Sequence, residues 1–371
     1  MSFAPLEIVT DTDLQNLGRC VWNWRLCGNC DGKSTCKAPV CPWMHKDRVQ
    51  SALSRYERLC SCYVPFSAAR QGLENHQDLL DIMNQIKNNP DESKEHLMKQ
   101  HFADVNSVPV SDQEKAYNLG LSVLLSLNCG VPNDCTDNLE DSADAIPWLT
   151  GQSVKAFIDE AFGTKAMVDV ESVLTSDFTA KRLTSKAGLR FQATDDLRSH
   201  LKLDLRTRRV YVYDSTTVLE EMLVATKQSS QDSTLPRALV LEVLYTIYKV
   251  LFPPGRESEV FASYLTNKRG FEKNFLRYKM RSFGRYDDPE IDYSYFGERL
   301  RELQNELKDP SPRNWFERLF EGGTKSAERN MLMATTIGVF IAVTIGLFGL
   351  VLAGFQAWVG YQQWKHPVKD S

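Results

Sequence analysis

The chain has 371 residues, 42% of them hydrophobic and 25% charged, with 44 Lys or Arg against 48 Asp or Glu. These proportions exclude a collagen-like repeat, bulk disorder and a small disulfide-stapled scaffold, and the length suits two folded units at roughly 100–200 residues each. A formal net charge of −4 gives no global electrostatic case for nucleic acid, and a mean hydropathy of −0.35 is that of a soluble protein.

The opening run MSFAPLEIVTDTDLQNLG has neither a basic start nor an apolar stretch and is not read as a secretory signal. Seven of the nine cysteines fall within the first 62 residues, so residues 1–65 form a Cys-rich head, and no segment repeats. The head contains CGNCDGKSTCKAPVCPWMH, which places Cys27, Cys30, Cys36, Cys41 and His45 close together. Thiolates and an imidazole at such spacing can wrap one tetrahedral zinc, and a cytosolic setting keeps the thiols reduced. Two ligand sets fit. Cys27-x8-Cys36-x4-Cys41-x3-His45 is similar to the Cys-Cys-Cys-His zinc-finger class, whose members often bind RNA, with one residue fewer between its second and third cysteines. Cys27, Cys30, Cys36 and Cys41, with His45 as bystander, is the other. Buried thiols without metal, or disulfides if the topology were inverted, compete with both. A zinc module with an RNA or protein partner is one alternative function. Trp22, Trp24 and Trp43 supply aromatics, but Lys and Arg are only moderately abundant beside them, so nucleic acid is not expected as a partner. Cys20, Cys60 and Cys62 are expected to pack as small apolar residues.

Residues 66–309 read as a mostly helical domain. Apolar spacing predicts helices over 47–59, 67–87, 92–102 and 112–127, then an acidic break over 133–144 with Pro147 beyond it. Another helix is predicted over 153–162. Alternation predicts short strands at 189–193 and 209–213, with a helical turn capped by Thr194 between them, making a small β-hairpin-like insertion over about 188–213. Helices over 216–226, 235–252 and 258–265 follow. The apolar run Ala238–Phe252 contains Glu242 and Lys249 and ends at Pro253-Pro254-Gly255, which marks a core helix. Phe296, Leu300, Leu303 and Leu307 form the stripe of a last helix, ended by Pro310 and Pro312.

For catalysis the chain offers no nucleophile elbow, Walker loop, H-E-x-x-H or G-x-G-x-x-G. His200 lies near Asp195, Asp196 and Asp204, and a carboxylate-oriented histidine can act as a general base. An enzyme using this cluster is the second alternative. A structural hydrogen bond is the commoner use, and no catalytic role is expected.

From Asn330 to Trp364 there is no Asp, Glu, Lys or Arg. As a helix rising about 1.5 Å per residue, Met331 to Phe355 spans about 37 Å, enough for a hydrocarbon core of about 30 Å. Residues 331–357 are therefore expected to be a transmembrane helix, with Trp358, Tyr361 and Trp364 opening a short tail over 358–371 at the headgroup layer. Residues 310–330 are a juxtamembrane segment in which Trp315, Phe316, Leu319 and Phe320 share a face beside Arg313 and Arg318. Arg313, Arg318, Lys325 and Arg329 precede the span, against Lys365 and Lys369 after it, which favours a cytosolic body and a tail-anchored, single-pass topology. Endoplasmic reticulum and outer mitochondrial membrane fit equally. Gly338, Ala342 and Gly346 recur every four residues, spacing that lets two such helices approach, so a homodimer through the span is one expected arrangement.

The order of Leu125-Ser-Leu-Asn-Cys129, Ile146-Pro-Trp148, Val154-Lys-Ala-Phe157, Phe178-Thr-Ala-Lys-Arg-Leu183, Ala187-Gly-Leu-Arg-Phe191, His200-Leu-Lys-Leu203, Phe296-Gly-Glu-Arg-Leu300, Trp315 and the apolar span resembles a lineage-expanded fungal family of uncharacterised single-pass membrane proteins. The resemblance covers residues about 112–371. It implies fungal origin and a membrane-associated helical body with a small β insertion, and no known activity or cofactor. Gln192-Ala193 stands where the family commonly has Trp, and the Cys-rich head is not part of the pattern. The expected role is an interaction or scaffold protein at a cytosolic membrane face, with the lipid bilayer and unidentified proteins as partners.

Overall fold

A computed structural model describes residues 5–66, 71–103, 108–130, 145–163, 178–227, 234–275, 285, 288, 290–311 and 326–365, with the side chains of 326–334 and 363 outside that set. The acidic break at 133–144, the juxtamembrane residues of 312–325 and the tail from 366 lie outside the described residues. The chain divides into two units, Met1–Pro310 and Ser311–Ser371.

The first unit is a helical body built on one continuous apolar core that runs from Leu6 to Leu303. Its first helix, α1 (Asp11–Trp22), is absent from the sequence expectations, although Thr10 and Asp13 form a capping box that closes its first turn. The helix expected over 47–59 is two pieces. Pro42–Val49 winds as a 3₁₀ turn kinked at His45, and α2 (Gln50–Ser61) follows. Next come α3 (His76–Asn88), α4 (Lys94–His101) and α5 (Val110–Leu125). The start of α3 lies well inside the expected 67–87, because Asn75 accepts the Gln77 and Asp78 N–H groups and Gly72 is pressed onto the backbone of Asp112. The short α6 (Val154–Phe162) and α7 (Ala180–Ser185) are capped by Ser153 and Thr179.

The β element is a three-stranded sheet of β1 (Arg190–Thr194), β2 (Leu203–Asp204) and β3 (Arg209–Tyr213), in the order β1-β3-β2. The hairpin is made by β2 and β3, antiparallel, around a turn in which Asp204 accepts the Arg206 and Thr207 N–H groups. The two strands legible by alternation, β1 and β3, pair in parallel, Arg190 beside Arg209 through Thr194 beside Tyr213. Phe191, Val210 and Val212 point into the core, and the face bearing Arg190 and Arg209 opens outward.

The remaining helices of the body are α8 (Thr216–Ala225), α9 (Arg237–Tyr245), α10 (Arg256–Lys268) and α11 (Gly297–Lys308). A π-helical turn, Thr246–Leu251, continues α9, and the chain then bends by 114° into α10. Leu239, Val240, Val243, Ile247, Leu251 and Phe252 are all buried, as a core helix requires. In the core α3 packs on α5 and α1, and α8 packs on α9 and α1.

The second unit is one helix, α12 (Ser326–Lys365). Within Thr335–Gln362 an 18-residue window has a mean hydropathy of 2.5 and none of that window is buried, which makes the helix long and apolar enough to cross a membrane. The chain is thus mainly α, with a small β insertion and one C-terminal helix of spanning length.

Candidate metal centre

The cysteine loop is built onto α1. This helix ends at Asn23, in the left-handed region at φ 53°, and the Trp24 N–H returns to the Gly18 carbonyl. Gly18 is required there, since a Cβ would lie 2.2 Å from Cε3 of Trp24. With its ring on Gly18, Trp24 stands between Trp22 (centroids 4.9 Å apart) and Trp43 (6.4 Å). The chain then makes two tight turns, in which the Cys30 N–H reaches the Cys27 carbonyl and the Lys33 N–H reaches that of Cys30. Gly32, at φ 67°, takes the second corner.

These turns and the 3₁₀ turn that follows bring four sulfurs together. Cys27 Sγ is 3.4 Å from Cys36 Sγ, Cys30 Sγ is 3.6 Å from Cys41 Sγ, and all four ligand atoms lie within 4.8 Å of one another. Around a zinc ion at about 2.3 Å from each thiolate, the edges of the sulfur tetrahedron are about 3.8 Å. The donor set therefore has the size a divalent ion with thiolate preference requires. No disulfide links any described cysteine. His45 is not brought into the group; it sits exposed on the 3₁₀ turn that carries Cys41 inward.

Backbone donors already point at the sulfurs. The Cys27 N–H faces Cys41 Sγ at 3.5 Å and the Ala38 N–H faces Cys36 Sγ at 3.4 Å. Burial pushes the Cys30 thiol up to about 12, with its bonds to the neighbouring thiols adding to the effect. Burial acts the same way on Cys41, but the N–H groups of Cys27 and Trp43 together with the hydrogen bonds of the Cys30 and Cys36 thiols outweigh it and bring that thiol down to about 7. Four thiols this close can ionise together only around a positive charge, which is the chemistry a metal supplies.

One residue that holds the loop was not visible as a site residue. Gln15, fully buried on α1, donates from Nε2 to the carbonyls of Cys30 (2.8 Å) and Lys33 (3.1 Å) and accepts the Gly32 N–H at Oε1 (3.0 Å). The Trp43 indole donates to the same Lys33 carbonyl at 2.7 Å. The signal for Gln15 was a polar side chain on the apolar face of α1, between Leu14 and Leu17. Cys20 and Cys60 lie elsewhere in the core, where burial pushes them up to about 11 and about 12, and Cys62 also lies outside the group.

The other polar constellation is arranged differently. His200 is fully buried; its Nδ1 accepts the Tyr213 N–H at 3.3 Å and its Nε2 faces the Thr246 hydroxyl at 2.8 Å. That hydroxyl donates on to the Val243 carbonyl. Burial, with the Arg299 guanidinium adding to it, brings His200 down to about 3, so the ring is neutral. Asp195 pairs with Arg55 at 2.9 Å and with Arg58, Asp196 accepts the Arg198 N–H, and Asp204 is held in its own turn. On α12, Gly338 and Gly346 have nothing within 4 Å of an added Cβ, and Ala342 is exposed between them.

No family model, curated protein or solved structure matches this chain.

Proposed function

We propose that this chain is a membrane-anchored interaction or scaffold protein whose body is fastened by a structural zinc ion on Cys27, Cys30, Cys36 and Cys41. The carrying observation is the contrast in exposure. The body buries most of its large apolar residues and exposes others singly, such as Ile8 and Phe66, whereas on α12 the exposed apolar residues follow one another from Ile337 to Phe355, with Phe340, Phe348 and Leu350 at 75%, 68% and 76%, a pattern that a bilayer would satisfy. A four-thiolate zinc site is coordinatively closed, so it serves the fold and leaves no position for a substrate. Reduced thiols at this site also agree with a body on the cytosolic side, the side favoured by the basic residues ahead of the span.

The test is extraction of membranes from cells expressing the full chain. The protein is expected to stay in the pellet at alkaline pH and to leave it with detergent, and truncation before Met331 is expected to release the body. The same purified full-length protein is expected to carry one zinc per chain. Release at alkaline pH would overturn the anchoring, and zinc well below stoichiometry would overturn the metal.

A further inference from the structure

The outward end of the small sheet carries an arrangement that folding alone would avoid. In the parallel β1–β3 register Arg190 lies directly beside Arg209, on the same face, and both are exposed. Like charges side by side on a sheet cost stability. Asp204 stands opposite Arg209 on the other side, in the β2–β3 register, but among the described residues neither guanidinium has a hydrogen bond or an ion pair. Residues 181–209 contain nine Lys or Arg and three Asp, in a chain whose net charge is −4. Asp195 is engaged by Arg55 and Arg58 and Asp196 by the Arg198 backbone, while the carboxylate of Asp204, the register neighbour of Arg209, is bonded to the Arg206 and Thr207 N–H groups and the Thr207 hydroxyl of its own turn. At the apex of that turn, between β2 and β3, Leu205 is 48% exposed and Arg206 follows it, also exposed.

We infer that this face, formed by Arg190, Arg209, Arg206 and Leu205, is a docking surface for an anionic lipid bilayer. Guanidinium groups match lipid phosphates in charge and in bidentate geometry, and a leucine beside them enters the boundary between headgroups and acyl chains. An RNA strand fits less well, because the face offers one aromatic ring for stacking, Tyr211, and an exposed leucine has no partner on a phosphate backbone. The inference rests on the membrane-anchored reading, since the apolar helix keeps a bilayer within reach of the body and makes weak docking effective.

The test uses the full chain in lipid nanodiscs made of phosphatidylcholine alone or with about one third phosphatidylserine. Phenylglyoxal modifies accessible guanidinium groups, and mass spectrometry reads each arginine separately. Modification of Arg190, Arg206 and Arg209 is expected to fall about fivefold in the anionic discs, the effect of about 1 kcal/mol per basic residue at such a surface. Arg25, exposed elsewhere on the body, is the internal control. In the double variant Arg190→Gln and Arg209→Gln, which removes the like-charge contact and so keeps the fold, protection of Arg206 is expected to disappear. Equal modification in both discs, with the chain retained in each, overturns the docking and leaves the anchor standing. Loss of the chain from both discs overturns the anchor and the docking together. Protection by single-stranded RNA in neutral discs, without protection by anionic lipid, overturns lipid as the occupant. Protection of Arg206 that persists in the double variant overturns the role of the pair.

Discussion

The cysteine loop and the turn around His200 are both polar chemistry carried into one apolar core, and they differ in what the polar atoms face. In the loop, four sulfurs converge on one another within 4.8 Å, while the backbone around them is tied down by Gln15 and Trp43. In the turn, each polar atom already has a use. His200 bridges the Tyr213 N–H and Thr246, and its neighbouring carboxylates bind arginines or backbone. Convergence with unspent donor capacity points to a ligand, and complete satisfaction points to structure. The difference can be broken or sharpened by variants.

The largest effect is expected at the loop. Replacing Cys41, which is 3% exposed and 3.6 Å from Cys30, with Ser removes one of four thiolates at the proposed zinc. Because metal affinity and folding are coupled, loss of bound zinc and of roughly 3–5 kcal/mol of stability is expected, with a chelator destabilising the native protein to the same level. Metal analysis and thermal melts measured together check this. Cys60→Ser, equally buried but outside the group, is expected to leave zinc stoichiometry unchanged. The loop shares the core with α1 and the body, so melting of the whole body, not of a detached head, is the expected signature.

At His200 the expectation is opposite in kind. His200→Ala leaves the Tyr213 N–H without its acceptor and opens a cavity, for about 2–4 kcal/mol. Bound zinc should stay at the level of the native chain. A change in zinc content in this variant would break the separation between the two regions.

Gln15 tests whether the loop is prepared in advance. Gln15→Ala removes three hydrogen bonds to the turns at Cys30, Gly32 and Lys33 while leaving all four thiols in place. About 1–3 kcal/mol of stability and a 10–100-fold weaker zinc affinity are expected, read by competition with a metal indicator. Affinity unchanged within a factor of two would mean that the thiols organise the loop alone.

How much of this was legible follows from how far apart the partners lie in the chain. The four cysteines fall within one short segment, and the spacing alone suggested a metal; the choice between Cys30 and His45 was left open, because it depends on a kinked 3₁₀ turn that carries His45 outward and on Gln15 reaching in from α1. The partner of His200 is Thr246, on a different helix, so proximity in sequence suggested Asp195 and Asp196 instead. The strands β1 and β3 were readable by alternation, but their parallel pairing depends on β2 taking the far edge of β3. The helix α1 is hard to read although its capping box is in the sequence, since Gln15, Asn16 and Gly18 dilute its apolar pattern. By contrast the apolar length of α12 is a local property, and its recognition needed no partner.

The smallest effect concerns a buried polar atom that has neither a ligand nor a well-formed hydrogen bond. Glu272 Oε2 has no hydrogen bond of ordinary geometry, and burial, aided by the negative charge of Asp214 and only partly offset by the Ser51 hydroxyl, pushes its carboxyl from 4.5 up to about 8. In the unfolded chain the group ionises near its ordinary value, so between about pH 4.5 and 8 the folded state holds a proton that the unfolded state has released. Its contribution is therefore fully present below pH 4.5 and is lost as the pH rises toward 8. Glu272→Gln keeps the shape and removes the titration. A gain on the order of 1–2 kcal/mol at pH 8 and almost none at pH 4.5 is expected, as a few degrees in the melting temperature. Bound zinc should not change between the two proteins, because an unsatisfied atom without convergent neighbours is a cost to the fold and not a site. An equal gain at both pH values would show that Glu272 ionises alike in the folded and unfolded chain, and would remove it as the contrast to the cysteine loop.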